Sequence, residues 1–195
     1  KLYNKNTFLF PNGININKNI KKLKSNKYYI IYCGSYLYKP NKEAIDYLNH
    51  KIMPNLIKKF PRIKLVLTGG GFEKKYPWII DKKIVSKQKL YELIKGSICM
   101  CVPLKFGSGT RVKIIEALSI GTVVISSKKG IEGIQLLKKN PPFVFKNTQN
   151  FLNILKYTIN NHKKIKRLAY KDRLFYLKNF SMKSNTLKFL EKINL

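Results

Sequence analysis

The chain has 195 residues, 44% of them hydrophobic, which fits one domain with a sizeable core and excludes a disordered tail. No apolar run reaches the roughly 18–20 residues of a membrane span, and no charged-then-apolar leader follows Lys1, so the sequence is expected to begin inside a longer protein. The net charge of +31 rests on lysine, with arginine only at Arg62, Arg111, Arg167 and Arg173; it reads first as compositional drift over solvated faces, next as a surface for an anionic membrane, and last as a nucleic-acid footprint.

In chain order, Tyr28 to Cys33 forms a continuous β-rich run that ends at Gly34. Ala44, Ile45, Leu48, Ile52 and Leu56 then recur at helical spacing, which predicts a helix from Asn41 to Lys59. Ile63 to Leu67 predicts a second strand, closing on Thr68-Gly69-Gly70-Gly71. Ile84-Val85 is expected as a short third strand and Gln88 to Lys95 as a short helix. The run from Ile98 to Leu104 predicts a fourth strand, and a helix is expected from about Thr110 to Ile120, stopped by Gly121. Thr122 to Ser126 and Phe143 to Phe145 complete the expected strands. Thr148 is expected to cap a helix reaching Asn160, with two more helices over 163–178 and 182–193.

Continuous hydrophobic strands separated by helices imply a parallel sheet covered on both faces. The fold class is therefore α/β, a doubly wound, Rossmann-like parallel sheet. Ligands of such sheets bind beyond the carboxyl ends of the strands. The glycine turns at Gly34, Gly69 to Gly71 and Gly107 to Gly109 should gather on that edge. Cys33, Cys99 and Cys101 lie in apolar runs without a C-x-x-C pair, and are read as buried, reduced thiols suited to a cytoplasmic compartment.

The most informative stretch runs from Phe106 to Ala117: Gly107-Ser108-Gly109-Thr110-Arg111-Val112-Lys113, then Glu116. It joins the fourth strand to a helix. Such a turn leaves backbone N–H groups unpaired at the positive end of a helix, an arrangement that suits phosphate. Glu116, one turn further in, is within reach of the sugar hydroxyls of a nucleotide.

These residues resemble a known family. Phe10-Pro11-Asn12-Gly13-Ile14-Asn15 is similar to the segment that ends the first domain of two-domain GT-B glycosyltransferases. Gly34 to Ala44 resembles the loop and first helix of their second domain. Gly107 to Lys113 with Glu116-Ala117-Leu118 resembles the GSGTR variant of the group-1 (family 4) enzymes. Gly121 to Ser126 and Gly130 to Ile134 match two further motifs, so the likeness runs from Pro11 to about Ile134.

The resemblance implies the C-terminal half of a GT-B fold: a retaining, metal-independent transferase that moves a sugar from a nucleotide diphosphate donor, in cell-surface glycan or glycolipid synthesis. Consistently, no D-x-D pair occurs among the 9 carboxylates, and no cofactor beyond the nucleotide-sugar substrate is expected. On this reading residues 1–16 are the linker and the end of a missing N-terminal acceptor domain. Residues 17–160 form the nucleotide-sugar-binding domain, and 161–195 are helices packing back toward the missing half. The implied donor-binding residues are Gly34, Ser35, Lys39, Gly69, Gly70, Val85, Gly107, Ser108, Gly109, Thr110, Arg111, Lys113 and Glu116. No catalytic residue and no metal ligand is assigned in this half.

Glu116 matches the second glutamate of the family's E-x7-E motif; the first falls at Ser108, a departure that removes a carboxylate from the transferred sugar. Ser35 stands where many relatives have a phosphate-binding arginine, and Lys39 is a loose counterpart of their lysine, so the phosphate clamp is expected to be lighter or to shift to Arg111. Glu132 is read either as a loop residue near the donor sugar or as a helix cap. His50 and His162 are read as surface residues. The basic segment from Lys163 to Arg167 is read as the outer face of a packed helix, with an anionic bilayer as the alternative. The expected location is cytoplasmic, with peripheral attachment to the inner membrane face left open. Two other readings also stand beside the enzyme: a non-catalytic glycosyltransferase-like subunit, and a basic module for anions or nucleic acid.

Overall fold

The computed structural model describes residues 13–15, 28–109, 111–137 and 142–192. Runs of β-branched and aromatic residues, buried on both faces, form the centre of a six-stranded sheet. The strands are β1 (Tyr29–Cys33), β2 (Lys64–Thr68), β3 (Ile79–Asp81), β4 (Met100–Val102), β5 (Val124–Ser127) and β6 (Phe143–Phe145). Their order is β3-β2-β1-β4-β5-β6, and every pairing is parallel. All five residues of β1 are buried, because helices cover the sheet on both sides. The order reverses between β1 and β4, which places a crevice at their carboxyl ends. The expected fold class is therefore observed.

One strand lies elsewhere than expected. The third strand is Ile79–Asp81, pairing Leu65 with Ile79 and Leu67 with Asp81, whereas Ile84 sits in a loop and is 83% exposed. Trp78, Ile79 and Ile80 carry enough apolar surface to pack on the core, while Ile84-Val85 is a pair too short to compete. The Asp81 carboxylate accepts the Lys83 N–H at 2.8 Å and turns the chain out of the sheet.

The first helical segment comprises α1 (Lys39–Tyr47), a π-helical turn over Leu48–Ile52, and α2 (Met53–Ile57). The π turn has a local cause. Pro54 has no N–H, and its ring would crowd the carbonyl four residues back, so the Met53 N–H reaches the Leu48 carbonyl instead. The remaining helices are α3 (Lys87–Gly96), α4 (Val112–Ile120), α5 (Thr148–Asn160), α6 (His162–Phe180) and α7 (Met182–Lys192).

Helix α4 packs on α3 and α6, and α5 packs on the α1–α2 segment. At the end of α4, Gly121 adopts the left-handed conformation and Thr122 N–H returns to the Ala117 carbonyl, as expected of a glycine stop. Helix α5 is capped by Asn147 rather than Thr148. Its side chain accepts the Asn150 N–H, and Asn150 accepts the Lys146 N–H in return. The reciprocal pair satisfies one first-turn donor and ties the residue before the cap to the helix.

Ile14 is buried and joins the α6–α7 junction: its N–H donates to the Phe180 carbonyl at 2.8 Å and its carbonyl accepts the Met182 N–H at 3.1 Å. Cys33, Cys99 and Cys101 are buried free thiols. Among the described residues no helix is long and apolar enough to cross a membrane.

Candidate functional site

The site grows from the reversal of strand order. β1 ends at Gly34 and β4 runs into the loop that carries Gly107, Ser108 and Gly109 before α4 begins. The β1 and β2 turns touch along their backbones. A Cβ on Gly69 would lie 2.5 Å from the Gly34 carbonyl carbon, and one on Gly34 would lie 2.8 Å from the Lys113 ammonium. Both glycines hold positive φ values, so only a residue without a side chain fits this approach.

Between the β1 turn, the β4–α4 loop and the start of α4 lies a cavity of about 270 Å³, lined by Asn41, Phe106, Gly107, Ser108, Arg111 and Lys113 among others. Arg111 is only 8% exposed although it precedes α4. Its guanidinium donates to the Gly107 carbonyl at 2.9 Å and the Ser108 carbonyl at 3.2 Å, which shapes the glycine loop. Its Nε has no partner among the described residues, and neither described ion pair involves it.

Lys113 lies beside it. Its ammonium donates to the Cys33 carbonyl at 2.6 Å and to Asn41 Oδ1 at 3.1 Å, and it stands 4.9 Å from the centre of the Tyr32 ring. Burial, opposed by Cys33 and aided by the Arg111 charge, lowers its pKa to about 8. Hydrogen bonds among the described residues thus engage two of the three ammonium protons.

Asn41 organises this corner. Its Oδ1 also accepts the Tyr32 hydroxyl at 2.7 Å, and its Nδ2 donates to the Ser35 carbonyl at 2.9 Å. Burial raises the Tyr32 pKa, keeping the phenol a donor. Two adjacent cations held without a carboxylate are costly in a low-dielectric pocket. An anion placed between them would offset that cost.

The implied site residues divide by place. Gly107, Ser108, Arg111 and Lys113 line the cavity, Gly34 lies behind the Lys113 ammonium, and Gly109 and Ser35 sit on the adjoining loops. Lys39 is exposed and reaches over the Phe106 ring, 5.9 Å from its centre. Gly70 and Val85 sit apart, on the β2–β3 side of the rim, where Ile84 approaches Gly70. Thr110 lies outside the described residues.

Glu116 lies one turn inside α4 and accepts the Tyr91 hydroxyl at 2.7 Å. Burial, followed by that carboxylate, raises the Tyr91 pKa, so the phenol remains a donor. Glu132 is exposed and paired with Lys129, whose hydrogen bond lowers its pKa. His50 bonds the Tyr76 hydroxyl, and His162 the Tyr28 hydroxyl.

Residues 27–161 match the model of the family described as "Glycosyl transferases group 1". The chain belongs to that family. No curated protein sequence is similar enough to match it. Among solved structures, S. aureus TarM aligns with a TM-score of 0.74 and 16% identity, over 96% of this chain and 39% of that one. Sucrose-phosphate synthase from Thermosynechococcus elongatus gives 0.69 and 14%, over 87% and 45%. The C-terminal domain of the group 1 family protein LpcC from Francisella tularensis gives 0.62 and 13%, over 84% and 96%. At these identities the likeness is one of fold. This group 1 chain spans less than half the length of the first two proteins and nearly all of an isolated C-terminal domain.

Proposed function

We propose that this chain is the donor-binding half of a sugar transferase and holds a nucleoside diphosphate sugar at the β1–β4 crevice. The observation that carries the reading is the pair of buried cations, Arg111 and Lys113, facing a small cavity without a carboxylate. A diphosphate supplies the missing charge. The Arg111 guanidinium and the remaining Lys113 proton would donate to its oxygens, with the loop N–H groups of Ser108 and Gly109 beside them. Glu116, oriented by Tyr91, would accept the ribose hydroxyls. The TarM structure carries UDP, which supports a nucleotide in this fold.

The chemistry that follows is electrostatic. When the sugar–phosphate bond breaks, charge gathers on the departing diphosphate, and fixed, largely buried cations stabilise it without reorganising. In this reading the transfer is metal-independent and retaining, and a separate domain presents the reactive end of the acceptor. The product belongs to cell-surface glycan or glycolipid synthesis on the cytoplasmic side, with contact to an anionic membrane surface.

The test is calorimetric titration of the chain with UDP, GDP and ADP beside a Glu116→Ala variant. Binding of one nucleotide, weakened in the variant by about 1.5–3 kcal/mol, is the expected result. Binding that is indifferent to Glu116 would remove the ribose assignment, and no binding by any nucleotide would remove the donor reading.

A further inference from the structure

A second and larger cavity, about 700 Å³, opens on the same carboxyl edge of the sheet, beyond β4, β5 and β6. Leu104 lines both cavities, so their occupants would be neighbours. Its walls include Tyr47, Pro103, Leu104, Val144 and Phe145. Its size is that of a ligand site rather than a packing defect. The walls are fixed: Ser127 Oγ donates to the Leu104 carbonyl at 2.5 Å and accepts the Gly130 N–H at 3.0 Å, and Ser126 Oγ donates to the Val102 carbonyl at 3.1 Å.

The remaining walls are basic. Lys105, Lys128 and Lys129, and Lys146 come from the loops after β4, β5 and β6 and converge on this one opening, with no carboxylate in the lining. Glu132 neutralises Lys129, while Lys105, Lys128 and Lys146 have no ion pair among the described residues. Three cations from three loops around an apolar floor fit a phosphate group attached to a carbon skeleton. Lysine suits a flexible phosphate ester, because it acts as a point charge and demands no fixed bidentate geometry.

Resting on the glycosyl-transfer reading, we infer that this cavity holds a phosphate-bearing segment of the acceptor, beside the donor diphosphate and distinct from it. The phosphate belongs either to a soluble polyol phosphate or to a lipid headgroup.

The test uses the whole chain and a Lys105→Gln/Lys128→Gln/Lys146→Gln variant. A control, Lys163→Gln/Lys171→Gln/Lys178→Gln, removes the same charge from exposed positions on α6. Probes are a glycerol phosphate oligomer, vesicles of phosphatidylglycerol in phosphatidylcholine, and a single-stranded oligonucleotide, with UDP titrated separately.

The expected result is a loss of at least about tenfold in affinity for the oligomer or the vesicles in the cavity variant alone. Whichever of these two probes shows the loss identifies the phosphate source. UDP binding should stay unchanged, and UDP should not displace the probe. Equal losses in both variants, no loss, displacement by UDP, or tighter cavity-dependent binding of the oligonucleotide would each overturn the inference. If no nucleotide binds while the oligomer keeps its dependence on the cavity lysines, the donor reading falls and the anionic site stands.

Discussion

Replacing Arg111 with methionine should separate what this side chain does for the ligand from what it does for the fold. The guanidinium is 8% exposed, has no carboxylate partner among the described residues, and sits beside the Lys113 ammonium, whose pKa it helps to depress. Its protein contacts are the carbonyls of Gly107 and Ser108, in a loop open enough for water to replace it. Methionine keeps most of the apolar stem and removes a buried charge that no ion pair among the described residues neutralises. The free protein should therefore be unchanged or gain about 1 kcal/mol, which for a chain of this size raises the melting temperature by roughly 2–4 °C.

Nucleotide binding should move the other way. Loss of a charge-assisted contact to the diphosphate costs about 1.5–3 kcal/mol, or roughly 10- to 150-fold in affinity. Differential scanning calorimetry and titration with nucleoside diphosphate measure the two effects on one preparation. A variant that melts several degrees lower while retaining full affinity would refute the reasoning, because Arg111 would then be a structural clasp.

Other consequences follow from the same contacts. Nucleotide affinity should be flat between about pH 7 and 8, above the second phosphate ionisation at about 6, and fall as pH rises through about 8, the pKa of Lys113 in the free protein, because the bound diphosphate favours the charged ammonium; titrations across this range check it. In the free protein the sign is opposite: a lysine pKa lowered on folding leaves the unfolded chain holding more protons, so this group makes stability rise between about pH 8 and its unfolded value. Tyr91→Phe should weaken nucleotide binding less than Glu116→Ala, by about 0.5–1.5 kcal/mol, since it removes only the bond that orients the carboxylate. Gly69→Ala should lower stability by at least about 2 kcal/mol in denaturant titration, because the added carbon would lie 2.5 Å from the Gly34 backbone at a φ of +111°. Phe151→Ala should cost about 3–5 kcal/mol, as that ring is fully buried and stacked on Phe145 at 4.4 Å.

Much of the fold was legible because the strands at its centre are covered on both faces and so read as unbroken apolar runs. β1, β2, β4 and β5 declare themselves this way. Near the sheet edge the signal thins: β3 has only three residues, all half-buried, and the apolar pair Ile84-Val85 competed with it. The cap of α5 turned on which of two adjacent residues could reach back to Asn150, a geometric question that composition does not answer.

The glycine turns and the Gly107–Glu116 stretch were visible as motifs because their spacing is local. Asn41 and Tyr91 were not. Asn41 looks like an ordinary helix residue until the fold brings Tyr32 and Lys113 to it, and Tyr91 gains a role only when α3 packs beside α4. The lysine-lined cavity was hidden for a related reason. Lys105, Lys128 and Lys146 are distant in sequence, and in so basic a chain each alone is unremarkable.

The most direct measurement is a crystal structure of the chain with the nucleoside diphosphate that binds it. The account predicts diphosphate oxygens within hydrogen-bonding distance of the Arg111 guanidinium and Lys113 Nζ, with the ribose hydroxyls on Glu116. A diphosphate seated among Lys105, Lys128 and Lys146, with Arg111 and Lys113 untouched, would contradict it.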